Sequence, residues 1–190
     1  MSSYLCYAVG NEWRFSHHGP DTVDNGTYDR EKITAFTWFD TTVCMVSCHE
    51  SDGARIPDSV FIDTQKVHAV LGFSFWSRRY AYEPPYRWYS DSMRAGDTCI
   101  AAYRIRLSQD STHYCDTVVF TGADTCVVSS RSYACLRFMF ISGTMRTERL
   151  YARGLGLLRE KTWKKDSLRL EIRLERARID GVTRYVTWEQ

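Results

Sequence analysis

Five histidines (His17, His18, His49, His68 and His113) and seven cysteines (Cys6, Cys44, Cys48, Cys99, Cys115, Cys126 and Cys135) carry most of the reactive chemistry available to this chain. A nucleophilic site needs a serine or cysteine, a histidine base and an orienting acid brought together in space. No Gly-x-Ser-x-Gly elbow or comparable local signature accompanies the histidines, so no catalytic residue is assigned. His17-His18-Gly19-Pro20 reads as a solvated loop just after a first strand. Cys44-x-x-x-Cys48-His49 gathers three metal-binding side chains, but zinc takes four ligands and the second closely spaced pair is missing, so no metal site is expected. Gly154-Leu155-Gly156 lacks the third glycine and the helix of a phosphate cradle, and the carboxylates are scattered rather than paired for glycoside cleavage. No cofactor is expected.

Aromatic residues offer a different kind of site. Trp13 with Phe15, and Phe138 with Phe140, repeat on one face of their strands and form the candidate lining for an apolar ligand. Between residues 78 and 89, Tyr80, Tyr82, Tyr86, Trp88 and Tyr89 interleave with Arg78, Arg79 and Arg87. Guanidinium groups over aromatic faces attract by about 0.5–2 kcal/mol, which makes Arg78, Arg79, Tyr82 and Trp88 a candidate recognition surface. The same rings would equally serve to cover one end of a sheet, with their hydroxyls in water.

The elements that must position these residues are strands. The chain has 190 residues, 44% hydrophobic and 25% charged, which suits a single globular domain and excludes wholesale disorder. No apolar run approaches the roughly 20 residues that a membrane-spanning helix needs. Apolar and polar residues alternate with period two through Trp13–Phe15, Ile33–Cys48 (broken at Asp40-Thr41), Ile100–Leu107, Tyr114–Phe120 and Leu136–Phe140. Lys161–Arg178 is rich in helix formers, yet Leu168, Leu170, Ile172 and Leu174 share one face only if the segment is extended. The reading is all-β with little helix. Pro84-Pro85 is incompatible with a central strand, so residues 77–96 read as a long connection that could join two halves of one sheet.

Turn chemistry sets the expected registers. Asp180-Gly181 is a strong signal for a two-residue type I′ turn; the parity of the residues before it calls for a β-bulge near Glu175–Arg178. Ser142-Gly143 is a second such turn and would set Arg137 opposite Glu148. A four-residue loop Ser129–Ser132 would place Cys126 directly opposite Cys135, about 4.5–5.5 Å apart at Cα and within the span of a disulfide. Across a Ser108–Ser111 turn Cys99 would oppose Phe120, which leaves Cys99 and Cys115 unpaired.

Charge is divided along the chain. Residues 1–130 hold 11 Lys/Arg and 16 Asp/Glu, whereas residues 131–190 hold 14 and 7. Nucleic-acid binding would need the later arginines in one continuous patch. Leu168-Arg169-Leu170-Glu171-Ile172-Arg173-Leu174-Glu175 interleaves both signs with apolar residues, as on a solvated sheet face, and no nucleic-acid partner is expected. The opening Met1-Ser2-Ser3-Tyr4 has neither a basic n-region nor an apolar h-region. That fits a cytoplasmic protein, or one from which an export signal has been removed.

Three stretches together resemble the TapB-like group of exported bacterial β-proteins. Tyr4-Leu5-Cys6-Tyr7-Ala8-Val9-Gly10-Asn11-Glu12-Trp13-Arg14-Phe15 is similar to that group's Tyr-x-Pro-x-x-x-Gly-Asn-x-Trp-x-Tyr opening. Asp124–Leu136 resembles its Thr-Val-x-Val-Pro-Ala-Gly-Thr-Phe-x-Cys-Leu hairpin, and Tyr151-Ala152-Arg153-Gly154-Leu155-Gly156-Leu157-Leu158 its Tyr-Ala-Pro-Gly-Val-Gly-Leu-Val strand. Cys6, Ser129 and Arg153 stand where the group prefers proline, and Arg131 where it prefers glycine, so an unchanged backbone would put Arg131 at positive φ.

The resemblance implies a strongly curved antiparallel sheet or half-open barrel in an exported or lipid-anchored protein, and it implies no activity. The expectation is a non-enzymatic extracytoplasmic protein that binds an apolar small molecule or an envelope protein. The alternative is a hydrolase whose histidine and cysteine or aspartate come from distant strands. In an oxidising compartment, Cys126 and Cys135 would be the first pair to oxidise.

Overall fold

The elements that build the fold among the described residues are strands, as the period-two pattern requires. The computed structural model describes residues 4, 6, 8–20, 28–39, 42–51, 54–62, 67–75, 78–90, 92–106 and 111–188, with side chains described for 4, 6, 8–20, 32–33, 92–104 and 112–188. The strands are β1 (Glu12–His18), β2 (Tyr28–Phe39), β3 (Thr42–Ser51), β4 (Ala54–Ile62), β5 (Val67–Phe75), β6 (Arg78–Ser90) and β7 (Thr98–Arg106). They continue as β8 (Ser111–Val128), β9 (Arg131–Ser142), β10 (Met145–Ala152), β11 (Gly156–Lys164), β12 (Ser167–Ile179) and β13 (Val182–Tyr185). They form one sheet in chain order, and β1 also pairs with β12. The sheet is therefore curved strongly enough to bring its first strand against its twelfth.

β12 is the hub. Its residues 167–173 pair with β11 and residues 176–179 with β13 on one edge, while β1 takes 171–178 on the other. The Asp180-Gly181 turn forms as expected, with φ of +51° and +79° and Ile179 opposite Val182. The expected bulge falls on Glu175, the extra residue between Arg14↔Arg176 and Phe15↔Leu174. A second break, between Leu170↔Thr162 and Leu168↔Trp163, takes Leu168 off the face that Leu170 and Ile172 share.

Several expected registers are corrected. β8 and β9 are joined by the two-residue turn Ser129-Ser130, both at positive φ, so Val128 faces Arg131, Cys126 faces Tyr133 and Asp124 faces Cys135. Arg131 has no need of positive φ, because the turn ends before it. Positive φ at Cys6 (+54°) and Ser129 (+50°) also excludes proline at both positions. The β9–β10 turn is Gly143-Thr144 rather than Ser142-Gly143, so Arg137 faces Leu150 and not Glu148. Cys99 faces Val118 rather than Phe120. Residues 78–90 form a strand rather than a connection: β5 pairs Val70 with Tyr86 and Gly72 with Ala81, so residues 82–85 bulge out and Pro84-Pro85 owes no hydrogen bond to that ladder. His17 and His18 belong to β1, half-buried, and not to a solvated loop.

Two buried clusters fill the described interior. One holds Trp13, Phe15, Ile33, Leu150, Leu155 and Leu174 among others; the second holds Val118, Phe120, Phe138 and Tyr151, and Leu157 packs against both. The first is organised by the Gly10-Asn11-Glu12-Trp13 segment. Gly10 N donates to Ile33 O (2.9 Å) and Ile33 N to Asn11 O (2.9 Å), which seats the segment on β2. The buried Asn11 amide donates to Cys6 O (2.6 Å) and accepts from Asp180 N (2.8 Å), tying the N-terminal segment to the β12–β13 turn. The Trp13 indole Nε1–H donates to Leu155 O at 2.5 Å.

That last bond dictates a glycine. Gly156 has φ +87°, and a Cβ there would lie 2.9 Å from Trp13 Nε1. Gly156→Ala is expected to destabilise the protein by about 2–4 kcal/mol, the strain of a left-handed alanine plus a displaced buried hydrogen bond. Gly154→Ala, at φ +76° with nothing within 4 Å of its Cβ position, carries the strain alone, about 1–2 kcal/mol. Urea denaturation separates the two variants; equal losses would remove the indole contact as the cause.

Candidate functional site

The aromatic residues flagged by the sequence are divided between the two clusters. Trp13 and Phe15 on β1 are 3% and 4% exposed and belong to the first. Phe138 on β9 is fully buried in the second, its ring centroid 5.1 Å from that of Phe120 and 6.0 Å, edge-on, from that of Tyr151. Phe140 lies at the margin, with the Arg149 guanidinium 4.7 Å over its ring. The four do not line one chamber. The side chains of Arg78, Arg79, Tyr82 and Trp88, and those of Cys44, Cys48, His49 and His68, lie outside the described residues.

Polar residues of β1 are bound to β12. Ser16 Oγ donates to Glu175 Oε1 (2.5 Å) and lies 3.0 Å from His18 Nε2. The bulge makes this possible, because it turns the extra carboxylate towards β1. Serine sits between the acid and the imidazole and gives its proton to the acid. That is the reverse of a hydrolytic triad, where the imidazole lies between them. Glu12, nearly buried, receives Arg176 Nη2 at 2.9 Å. Among the described residues no group of three or more His, Cys, Asp or Glu side chains could hold a metal ion.

A ladder of opposite charges crosses β8 to β12. Arg137 pairs with Asp124 and, diagonally, with Glu148 (3.7 Å); Glu148 meets Arg159 at 3.5 Å. Arg159 and Arg173 both lie over the Trp188 ring, at 6.0 and 5.7 Å from its centroid. Arg173 binds Glu171 at 2.9 Å, with Lys161 at 3.7 Å. The interleaved signs of the sequence thus become cross-strand pairs, with Arg173–Glu171 paired along one strand, each worth little alone but coupled in a row. Burial acts to raise the Glu171 carboxyl, but the bond from Arg173 and the charges of Lys161, Arg173 and Arg159 outweigh it and hold the group below the ordinary glutamate range.

The described cysteines are thiols. Cys126 and Cys135 are diagonal neighbours rather than opposed, and diagonal Cα atoms about 7–8 Å apart exceed the span of a disulfide. The expected bridge is thus absent from this register. Burial pushes the Cys135 thiol up to about 11, with a smaller contribution from Cys126.

Sequence reasoning missed Asn11, Glu12, Ser16 and Glu175 as linked polar residues. Only the parity defect at Glu175 offered a signal. The others become partners through the pairing of β1 with β12, across more than 150 residues of chain.

No protein-family profile and no curated protein matches the chain. Among solved structures, a candidate exported protein with a YmcC-like fold from Bacteroides fragilis superposes with a TM-score of 0.54 at 10% identity, over 92% of this chain and 98% of that one. A candidate lipoprotein from Parabacteroides distasonis gives a TM-score of 0.48 at 8% identity, over 92% and 97% of the two chains. The first likeness shows that the chain shares a YmcC-like fold. At such identity it carries no site residue across.

Two expectations follow. At pH 8 about one Cys135 thiol in a thousand is ionised, so in the native protein the exposed Cys115 reacts with iodoacetamide while the fully buried Cys135 does not. Peptide mass spectrometry after brief alkylation reads this directly, and equal labelling would refute it. Glu171, whose folded-state pKa is depressed, contributes stability that is full above its unfolded pKa of about 4.3 and is lost as pH falls through the lower folded value. Glu171→Gln should therefore flatten the acid limb of a stability–pH curve while leaving its alkaline limb unchanged.

Proposed function

We propose that the protein is an extracytoplasmic β-protein without catalytic activity that serves as an interaction module at the cell envelope. The observation that carries this reading is the commitment of the described polar side chains of β1 to the fold itself. The Ser16 hydroxyl is given to Glu175, the Glu12 carboxylate to Arg176 and the Trp13 indole to the Leu155 carbonyl. The fold shared with a candidate exported protein supports the location, as does the resemblance of the Gly10-Asn11-Glu12-Trp13 opening to exported TapB-like proteins. The burial of Trp13, Phe15 and Phe138 in packed clusters favours a protein partner over an apolar small molecule. Their rings are already in contact with neighbouring side chains, and close-packed interiors leave few voids larger than a water.

Fractionation of cells expressing the gene with its natural upstream sequence tests the location. The protein is expected in the envelope or outside the cell, and recovery in the cytosol would overturn the reading. Organic extraction of purified protein, followed by mass spectrometry, is expected to release no stoichiometric lipophilic compound. Finding one would transfer the function to ligand binding.

A further inference from the structure

Most described arginines near a carboxylate are paired with one: Arg137 with Asp124, Arg149 with Glu160, Arg159 with Glu148, Arg173 with Glu171 and Arg176 with Glu12. Three others instead converge. Arg131, Arg153 and Arg184 line one hollow of about 260 Å³ with Ser132, Tyr133 and Gly154, and no acidic side chain lines it. Among the described residues none of the three meets a carboxylate; Arg184 Nη1 donates to Gly154 O at 3.1 Å. The nearby Asp180 lines a different hollow, together with Glu12, Lys32 and Arg178.

The three arginines come from separate parts of the chain, and backbone hydrogen bonds hold them together. Arg131 opens β9 directly after the Ser129-Ser130 turn, and Arg153 lies in the β10–β11 turn. Arg153 N donates to Ala134 O at 2.9 Å, which fixes that turn beside the start of β9. Ser129 N donates to Thr187 O (3.0 Å) and Ser129 Oγ accepts from Thr187 N (2.7 Å), which fixes the segment after β13 on the β8–β9 turn. The bond from Arg184 to Gly154 closes the third side. Like charges repel, so three guanidinium groups brought together without a counter-charge favour an anion that joins them. Guanidinium forks match the oxygens of a tetrahedral oxyanion.

From this we infer that the hollow bounded by Arg131, Arg153 and Arg184 is a binding site for a phosphate group. Its volume lies just below the range of about 300–1,000 Å³ of pockets for drug-sized ligands and suits a small headgroup rather than a whole cofactor. The phosphate is either a free ion such as pyrophosphate or the headgroup of an anionic lipid. The site stands independently of the location proposed above, since it rests on the chain's own geometry.

Calorimetric titration with phosphate and pyrophosphate at constant ionic strength, and flotation with phosphatidylcholine vesicles containing phosphatidylglycerol, separate the two sources. The intact protein is compared with the double variant Arg131→Gln/Arg153→Gln and with a control, Arg94→Gln/Arg178→Gln, that removes the same charge at exposed positions elsewhere. All three should show the same thermal melting without ligand, because the substituted side chains are exposed. Binding of either probe is expected to weaken at least tenfold in the first variant and less than twofold in the control. Binding of the ions alone identifies a free phosphate ligand, and binding of the vesicles alone a lipid headgroup. No binding of either probe, or equal weakening in both variants, would overturn the site.

Discussion

A single indole N–H donated to a backbone carbonyl sets the terms for much of this structure. Trp13 can reach Leu155 O only if β1 lies along β12 and the turn after β10 folds back over it. The residue after that carbonyl must then be glycine, because any side chain at position 156 would occupy the place of the ring. Asn11, two residues earlier, draws in the β12–β13 turn and the N-terminal segment through its two amide bonds. A buried tryptophan and a buried asparagine each need partners for their polar atoms. Satisfying them joins the two ends of the chain.

The polar residues around this junction follow the same logic. Glu12 and Ser16 are buried on β1, and each is met by a residue of β12, Arg176 and Glu175 respectively. Further round the sheet, Glu148 is answered by Arg159 of the neighbouring strand and Glu171 by Arg173 two residues along its own, and Trp188 lies beneath both arginines. Half-buried strands with mixed charge are thereby kept from being either apolar or unpaired. Arg131, Arg153 and Arg184 stand out against this background because they are grouped without such an answer.

Local chemistry made parts of this arrangement legible in the sequence. Asp180-Gly181 tolerates positive φ at both positions, so its turn, register and companion bulge could be read from residues 174–188 alone. The strand character of Lys161–Arg178 followed from parity, except at Lys165-Asp166, where a turn divides it between β11 and β12, and at Leu168, where a second bulge intervenes. The Ser129-Ser130 turn was hidden, since two serines do not favour positive φ by themselves. Their conformation is held by the Thr187 backbone, a tertiary partner 58 residues away. The misplaced register of Cys126 and Cys135 follows from that one turn. Pro84-Pro85 misled for the converse reason: proline is excluded from a regular ladder, but the register break removes the β5 ladder opposite residues 82–85, and the β7 ladder stops at Glu83. The cluster of arginines at residues 131, 153 and 184 has no signature in spacing, being assembled from the start of β9, the β10–β11 turn and β13.

The pairing of β1 with β12 bears on how the chain comes to be folded. Trp13 opposes Ala177, so its partner on β12 does not exist until more than 160 further residues have been made, although its partner on β2, Glu31, follows early. Contacts this distant in sequence close late and slowly, because the loop entropy is spent before the contact is formed. Hairpins such as β9–β10 can form as soon as they are made, but β1 has to wait for β12. A nascent chain of this topology stays unlocked until β12 has been made. Residues 187 and 188 then act as a latch: Trp188 Nε1 donates to Leu174 O and Thr187 N to Ser129 Oγ.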